Sequence, residues 1–110
     1  MQDGALLRIY IAESAKINNL PGYSYLAAFF LRKGFAGCTV MRGMGGFGHE
    51  HMMRSVDVFR LSLDLPVIID VVDSRRKIES ILPEVEAMVN HGLVIVQEVK
   101  MSNKSPDTST

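Results

Sequence analysis

The order of hydrophobic patterns along the chain is the feature that most limits its fold. Residues 5–12 alternate roughly between apolar and polar side chains, as expected of a strand with one buried face. Residues 23–33 instead place apolar side chains at helical spacing, and the same succession returns in the second half of the chain. In order, the predicted strands lie at 5–12, 38–42, 67–72 and 93–99, and the predicted helices lie at 23–33 and between Ser74 and Gly92.

Two strand–helix–strand units in succession predict an α+β fold. Its type is the ferredoxin-like βαββαβ sandwich, in which two helices cover one face of a four-stranded antiparallel sheet. A chain of 110 residues has room for one such domain, which we place at residues 1–101. Residues 102–110 are small and polar, so we expect a disordered tail. A long loop over 44–63 is predicted between the second and third strands.

Glycine and proline residues set the expected ends of these elements. Residues 13–22 are polar and end in Pro-Gly, which predicts a connector. Gly34 is placed to cap the first helix, and the pair His91–Gly92 is placed to cap the second. Pro83 lies within the second helical stripe, where we expect a kink or a break because proline cannot donate a backbone hydrogen bond.

The apolar run at 67–72, VIIDVV, is typical of a strand that is buried on both faces. The two predicted helices cover only one face of the sheet, so we expect self-association to cover the other. Asp70 interrupts this run, where an unpaired carboxylate is costly. Two interpretations fit Asp70 equally. It accepts hydrogen bonds from a ligand or a neighbouring subunit, or it pairs with a cation such as Arg8 or Arg42.

The charge balance limits the classes of partner. Twelve basic and twelve acidic residues give a net charge of zero, whereas general binders of nucleic acids or anionic membranes carry an excess of positive charge. The single cysteine excludes an internal disulfide framework, and no apolar run approaches the length that crosses a membrane. We therefore expect a cytoplasmic protein whose partners include neither nucleic acid nor the membrane interior.

Residues 39–48, TVMRGMGGFG, carry the strongest local signal of a binding site. A strand that runs into closely spaced glycines, here four within 43–48, lets backbone N–H groups approach an anion because no Cβ atoms intervene. Arg42 adds a guanidinium that can hold a phosphate through two hydrogen bonds. The segment is neither a Walker loop nor a dinucleotide fingerprint, so a merely flexible hairpin loop is the alternative interpretation.

A second group of residues in the same stretch has the chemistry of a copper site. His49 and His51 lie close in sequence to Met44, Met52 and Met53, and imidazole and thioether groups are copper ligands. No second cluster at ligand spacing accompanies them, so the other interpretation is a loop that carries these side chains without binding metal. We assign no metal site. No nucleophile stands beside a base in a recognisable motif, and we expect no enzymatic activity.

Taken together, several segments of the chain resemble the PII signalling superfamily and, within it, the PII-like family catalogued as domain of unknown function 190. The matching segments are LRIYIAES at 7–14, GCTVMRGMGGFG at 37–48, LSLDLP at 61–66 with DVVD at 70–73, and GLV at 92–94. The segments extend over nearly the whole chain apart from the tail.

The resemblance implies a homotrimer whose sheets pack inward, with an adenine nucleotide in each cleft between subunits. It places Thr39 against the base or the sugar, Asp70 near the adenine, and the glycines of the loop against phosphate. Together with the residues singled out above, the expected nucleotide-binding set is Thr39, Arg42, Gly43, Gly45, Gly46, Phe47, Gly48, Asp70, His91 and Gly92.

Two departures from the PII pattern bear on the ligand. The turn before the last strand, NHGL at 90–93, is short and lacks the lysine that PII proteins use for phosphate, and only Lys100 stands where PII has several basic residues. These departures favour AMP or ADP over ATP. We expect a non-catalytic regulatory protein that controls a protein target, such as a transporter or an enzyme, through the loop at 44–63. The alternative is a metal-responsive trimer, like the copper-tolerance relatives of this fold, that uses the methionine and histidine cluster.

Overall fold

The computed structural model of the protein describes residues 1–46, 54–55 and 64–102. Within these residues the chain forms eight strands and two helices. In chain order they are β1 (Gln2–Ala12), β2 (Lys16–Ile17), β3 (Leu20–Pro21), α1 (Gly22–Arg32), β4 (Cys38–Arg42), β5 (Gly45–Gly46), β6 (Arg54–Ser55), β7 (Pro66–Asp73), α2 (Arg75–Met88) and β8 (Leu93–Met101). Each long element overlaps the segment that the hydrophobic pattern predicts for it.

The four long strands form one antiparallel sheet in the order β4-β7-β1-β8. β1 lies between its two neighbours with Arg8 opposite Asp70 of β7 and opposite Ile95 of β8. β4 pairs with the other side of β7, where Thr39 lies opposite Asp70. This strand order, with one helix in each half of the chain, is the ferredoxin-like arrangement, and it confirms the predicted fold class.

The β1–β8 pair extends beyond the predicted strands at its outer end. Gln2 lies opposite Met101 and Asp3 lies opposite Lys100, so β1 begins before residue 5 and β8 continues past residue 99. Backbone hydrogen bonds hold these positions whatever their side chains, and an apolar pattern therefore does not reveal them.

One face of the sheet packs against the two helices and forms the hydrophobic core. Alternate residues of β1 and β7 point into it, and Leu7, Ile9 and Ile69 have no exposed surface. Full burial of a side chain of this size stabilises the fold by about 1.5–3 kcal/mol. The helices bury Leu26, Phe29 and Phe30 of α1 and Ile78, Ile81 and Val85 of α2.

The other face of the sheet, here named the open face, is covered by no helix among the described residues. It carries Leu6, Arg8 and Tyr10 of β1, Ile68, Asp70 and Val72 of β7, Thr39 and Met41 of β4, and Leu93 and Ile95 of β8. Val72 is 38% exposed and Leu93 is 56% exposed. Within one chain β7 is therefore buried on a single face, and the expected two-sided burial requires a second molecule over the open face.

A hairpin interrupts the connector that the sequence predicts over 13–22. β2 pairs with β3, and between them Asn18 and Asn19 have φ angles of 51° and 65°. Two consecutive residues with positive φ form the turn that best joins short antiparallel strands, and asparagine tolerates that conformation better than most residues. Gly22 is the first residue of α1 and not the end of the connector.

The glycine that was predicted to cap the first helix does so. Gly34 has a φ of 78° and donates its N–H to the carbonyl oxygen of Leu31, while Phe35 donates its N–H to the carbonyl oxygen of Phe30. These two bonds are the Schellman motif. The rings of Phe30 and Phe35 pack edge to face with centroids 5.4 Å apart, which supplies the apolar contact that accompanies the motif.

The second helix differs from its prediction in two places. It continues through Pro83 without a break, because buried Ile81 and Val85 on either side hold it against the sheet. It ends before Val89, which is extended with φ −99° and ψ 93°. The prediction that His91–Gly92 caps this helix is therefore wrong, and these residues lead instead into β8.

The loop predicted over 44–63 is described only at 44–46 and at 54–55. There β5 pairs with β6, with Gly45 opposite Ser55. Apart from residue 102, the predicted polar tail lies outside the described residues. None of the helices that the structure describes is long and apolar enough to cross a membrane.

Candidate functional site

One end of the sheet carries expected nucleotide-binding residues at both of its edges. Because neighbouring strands are antiparallel, the C-terminal ends of β4 and β1 meet the N-terminal ends of β7 and β8 there. Arg42 lies opposite Val67 at one edge of the sheet, and Leu93 lies opposite Tyr10 at the other edge. The glycines after β4 and the His91–Gly92 turn before β8 therefore flank this end from opposite edges.

Thr39, Asp70 and Arg8 form a row across three strands of the open face. Arg8 donates from Nε to Oδ1 of Asp70 at 2.7 Å and from Nη2 to Oδ2 at 2.6 Å. Of the two cations considered for Asp70, the structure thus selects Arg8 and not Arg42. The hydrogen bond to Asp70, followed by one with Tyr10, raises the pKa of Arg8 above its usual value.

The ion pair leaves Asp70 able to accept further hydrogen bonds. Each carboxylate oxygen has two lone pairs, and Arg8 uses one on each oxygen. Thr39 lies directly across from Asp70 on the same face, where it adds a hydroxyl that both donates and accepts. Together the two side chains present acceptors to an amino group of a base or to the hydroxyls of a sugar.

Arg42 lies on the other face of the sheet from Thr39 and Asp70. Its partner in register is Val67, a buried residue of the face that the helices cover. Arg42 donates from Nη2 to Oε1 of Glu13 at 2.9 Å and from Nε to the same oxygen at 3.3 Å. Thr39 and Asp70 thus lie on the open face, whereas Arg42 lies at the end of β4 on the face that the helices cover.

Two of the glycines expected at the phosphate also have a packing role. A Cβ atom on Gly43 would lie 2.6 Å from Cγ of Pro66, and the N–H of Gly43 already donates to the Pro66 carbonyl oxygen at 2.7 Å. A Cβ atom on Gly92 would lie 2.3 Å from the carbonyl oxygen of Tyr10. Both positions therefore require glycine for the fold itself, whether or not a phosphate binds beside them.

Other expected residues lie at the edge of the described structure or beyond it. Gly45 and Gly46 pair with β6. The site residues expected at 47–48, and the histidines and methionines at 49–53, lie outside the described residues. Met44, the remaining member of the copper cluster, is exposed. Across the described part of the chain, no group of three or more His, Cys, Asp or Glu side chains is arranged to hold a metal ion.

A polar corner after β1, formed by Glu13 and Ser14, contacts the residues on both sides of the predicted loop. Glu13 pairs with Arg42 before the loop. After the loop, Glu13 donates its N–H to the Leu65 carbonyl oxygen at 2.9 Å, and Ser14 donates its N–H and its hydroxyl to the Asp64 carboxylate at 2.9 and 2.6 Å. In the sequence these residues look like an ordinary polar connector, and only their place after a long apolar strand marks them.

The two edges of the sheet are far apart on the scale of a phosphate group. β7 and β1 lie between β4 and β8, so three strand spacings, or about 14 Å, separate Arg42 from the start of β8. His91 is exposed at that second edge. Arg42 and the His91–Gly92 turn therefore belong to opposite edges of the sheet within one chain.

The chain matches known proteins over nearly its whole length. Residues 4–101 match the family DUF190, described as "Uncharacterized ACR". The chain belongs to this family. A UPF0166 protein of Methanocaldococcus jannaschii is 36% identical to it over 94 residues, which are 84% of this chain and 86% of the relative. A UPF0166 protein of Aquifex aeolicus is 32% identical over 96 residues, which are 87% of this chain and 90% of the relative.

Solved structures extend the comparison of this DUF190 protein to its fold. CPII, a nitrogen regulatory PII-like protein from Thiomonas intermedia K12, matches with a TM-score of 0.61 at 19% identity, over 92% of this chain and 90% of CPII. That CPII structure is bound to ADP, AMP and bicarbonate. A second CPII structure, bound to ADP, AMP and acetate, matches with a TM-score of 0.58 at 18% identity, over 93% of this chain and 91% of CPII. The likeness establishes a PII-like fold.

Proposed function

We propose that this DUF190 protein is a regulatory protein without catalytic activity, which binds AMP or ADP in clefts between the subunits of a homotrimer. Its PII-like fold supports the proposal, as does the binding of ADP and AMP by CPII. The UPF0166 relatives support the family assignment, and their names indicate no ligand.

The observation that carries the proposal is the separation of the expected binding residues onto two edges of one sheet. Arg42 and Gly92 lie at the same end of the sheet but about 14 Å apart across it. In a closed ring of identical subunits, each contact joins two different surfaces of neighbouring subunits. One edge of the sheet in one subunit can therefore lie beside the opposite edge in the next, and residues from both edges can line one cleft. The exposed apolar residues of the open face, Val72 and Leu93 among them, provide the surface that such an assembly buries.

Each group of residues has a role in this cleft. Thr39 and Asp70 hold the base or the sugar through the acceptors described above. Arg42 is the last residue of β4, so its exposed side chain can reach around the end of the sheet to the phosphate, beside Gly43. The His91–Gly92 turn of the neighbouring subunit completes the cleft. One arginine at the phosphate position suits AMP or ADP better than a triphosphate.

We further propose that occupancy of the cleft is passed to a protein target, such as a transporter or an enzyme, through residues 44–63. The residues that flank that segment, Arg42 before it and Asp64 after it, both contact the Glu13–Ser14 corner, which lies beside the proposed phosphate position. A ligand that changes the contacts of this corner acts on both ends of the segment at once. The cytoplasm, which supplies adenine nucleotides, is the compartment that fits this role.

Calorimetric titration with adenosine, AMP, ADP and ATP tests the ligand. We expect AMP and ADP to bind more tightly than adenosine or ATP. Thr39→Val keeps the shape of the side chain but removes its hydroxyl, and it should weaken AMP and adenosine alike. Arg42→Gln should weaken AMP and leave adenosine unchanged. Arg76→Gln, which removes an exposed arginine from α2, is the matched control and should change nothing. Failure of every adenine nucleotide to bind would contradict the proposal.

A further inference from the structure

The Glu13–Arg42 ion pair differs from the Arg8–Asp70 ion pair in a way that bears on the phosphate position. Arg8 meets both carboxylate oxygens of Asp70 at 2.6–2.7 Å, and the two side chains are only 32% and 19% exposed. Arg42 meets a single oxygen of Glu13, at 2.9 and 3.3 Å, and is 61% exposed. Two parallel hydrogen bonds hold the first pair, whereas the second is a surface pair that exchanges partners easily.

We propose that Glu13 competes with the phosphate of the ligand for Arg42, and that this competition sets how well the site distinguishes a phosphorylated ligand from an unphosphorylated one. The inference rests on the proposed function. Without ligand, the carboxylate occupies the guanidinium. When the nucleotide binds, its phosphate takes the guanidinium donors and the Glu13 side chain turns to solvent. A phosphate group carries more charge than a carboxylate and three acceptor oxygens, so it can form the bidentate contact that Glu13 does not make.

The backbone around Glu13 is fixed, so only its side chain has to move. The N–H of Glu13 donates to Leu65, and Ser14 holds the Asp64 carboxylate through two hydrogen bonds. None of these contacts uses the carboxylate of Glu13. Glutamine at this position therefore keeps the corner intact and removes only the competing charge.

Calorimetric titration with AMP and adenosine tests the competition, because the two ligands differ only by the phosphate. In Glu13→Gln we expect AMP to bind about two- to five-fold more tightly, as follows from the strength of an exposed ion pair, and adenosine to bind as before. Glu79→Gln is the matched control. It removes the same charge from an exposed ion pair on α2, where Oε2 of Glu79 lies 3.2 Å from Nε of Arg75, and it should leave AMP affinity unchanged.

The competition requires Arg42, and this separates it from simple charge repulsion. In protein that carries Arg42→Gln, addition of Glu13→Gln should leave AMP affinity unchanged. An equal gain with and without Arg42 would show repulsion alone and overturn the competition. If AMP binds with the same affinity to Glu13→Gln and Glu79→Gln, this inference fails while the proposed function stands. If no adenine nucleotide binds the unaltered protein, the proposed function fails and this inference with it.

Discussion

Replacement of Gly92 by alanine adds a methyl group where the structure leaves no space. The new Cβ atom would lie 2.3 Å from the Tyr10 carbonyl oxygen, 2.8 Å from Cγ1 of Val89 and 2.9 Å from Cγ2 of Ile11. The nearest of these atoms belongs to the backbone of β1, a strand paired on both sides, so a side-chain rotation cannot relieve the contact. Overpacking of this kind costs about 1–3 kcal/mol. We expect the upper part of that range for the loss in the free energy of unfolding.

Gly37→Ala is the matched control for this substitution. A Cβ atom on Gly37 meets nothing within 4 Å, and Gly37 does not have a positive φ. Alanine at this position lowers the conformational entropy of the unfolded chain and should therefore raise the free energy of unfolding by about 0.4–1 kcal/mol. Urea unfolding of both variants at one protein concentration, followed by circular dichroism, gives the two values. If Gly92→Ala unfolds at the same urea concentration as the unaltered protein, the packing argument for Gly92 is refuted.

Two further predictions concern Asp70 and Cys38. Asp70→Asn removes the charge that pairs with Arg8, so we expect a lower urea midpoint. Addition of Arg8→Met to this variant should recover most of the loss, because no charge is then left unpaired. If Asp70→Asn lowers the midpoint equally with Arg8 and with Met at position 8, this prediction is contradicted. Burial, followed by the negative charge of Asp70, raises the pKa of the Cys38 thiol, which lowers its thiolate fraction at a given pH. Iodoacetamide at pH 8 should therefore alkylate Cys38 more slowly in the folded protein than in the urea-unfolded chain, and equal rates would refute the shift.

The long elements of the fold are readable from the sequence because their periodicity reflects burial. The end of α1 is readable too, since the positive φ at that position favours glycine and Gly34 follows the last apolar turn. The hydrophobic pattern does not predict the hairpin of β2 and β3, because strands of two residues are too short to show a period. In the sequence, only the Asn18–Asn19 pair indicates its turn. The break predicted at Pro83 does not occur, because the packing of the neighbouring residues outweighs the loss of the backbone hydrogen bond that proline cannot donate.

The candidate site is less readable because it depends on register and not on local pattern. The sequence leaves Asp70 with two possible cations, and only the alignment of β1 with β7 places Arg8 opposite it. Glu13 gains its importance from contacts with residues that lie far along the chain, Arg42 and Leu65, and nothing in a polar connector indicates them. The glycines are easily identified in the sequence. Whether each one is required for close packing or for phosphate binding depends on its neighbours in the folded structure.

A crystal structure of the protein grown with AMP is the measurement that bears most directly on the intersubunit site. We predict three subunits joined through their open faces, with each nucleotide held by Thr39, Asp70 and Arg42 of one subunit and by the His91–Gly92 turn of the next. A nucleotide that contacts a single chain, or a solitary chain whose open face stays in solvent, would contradict this account.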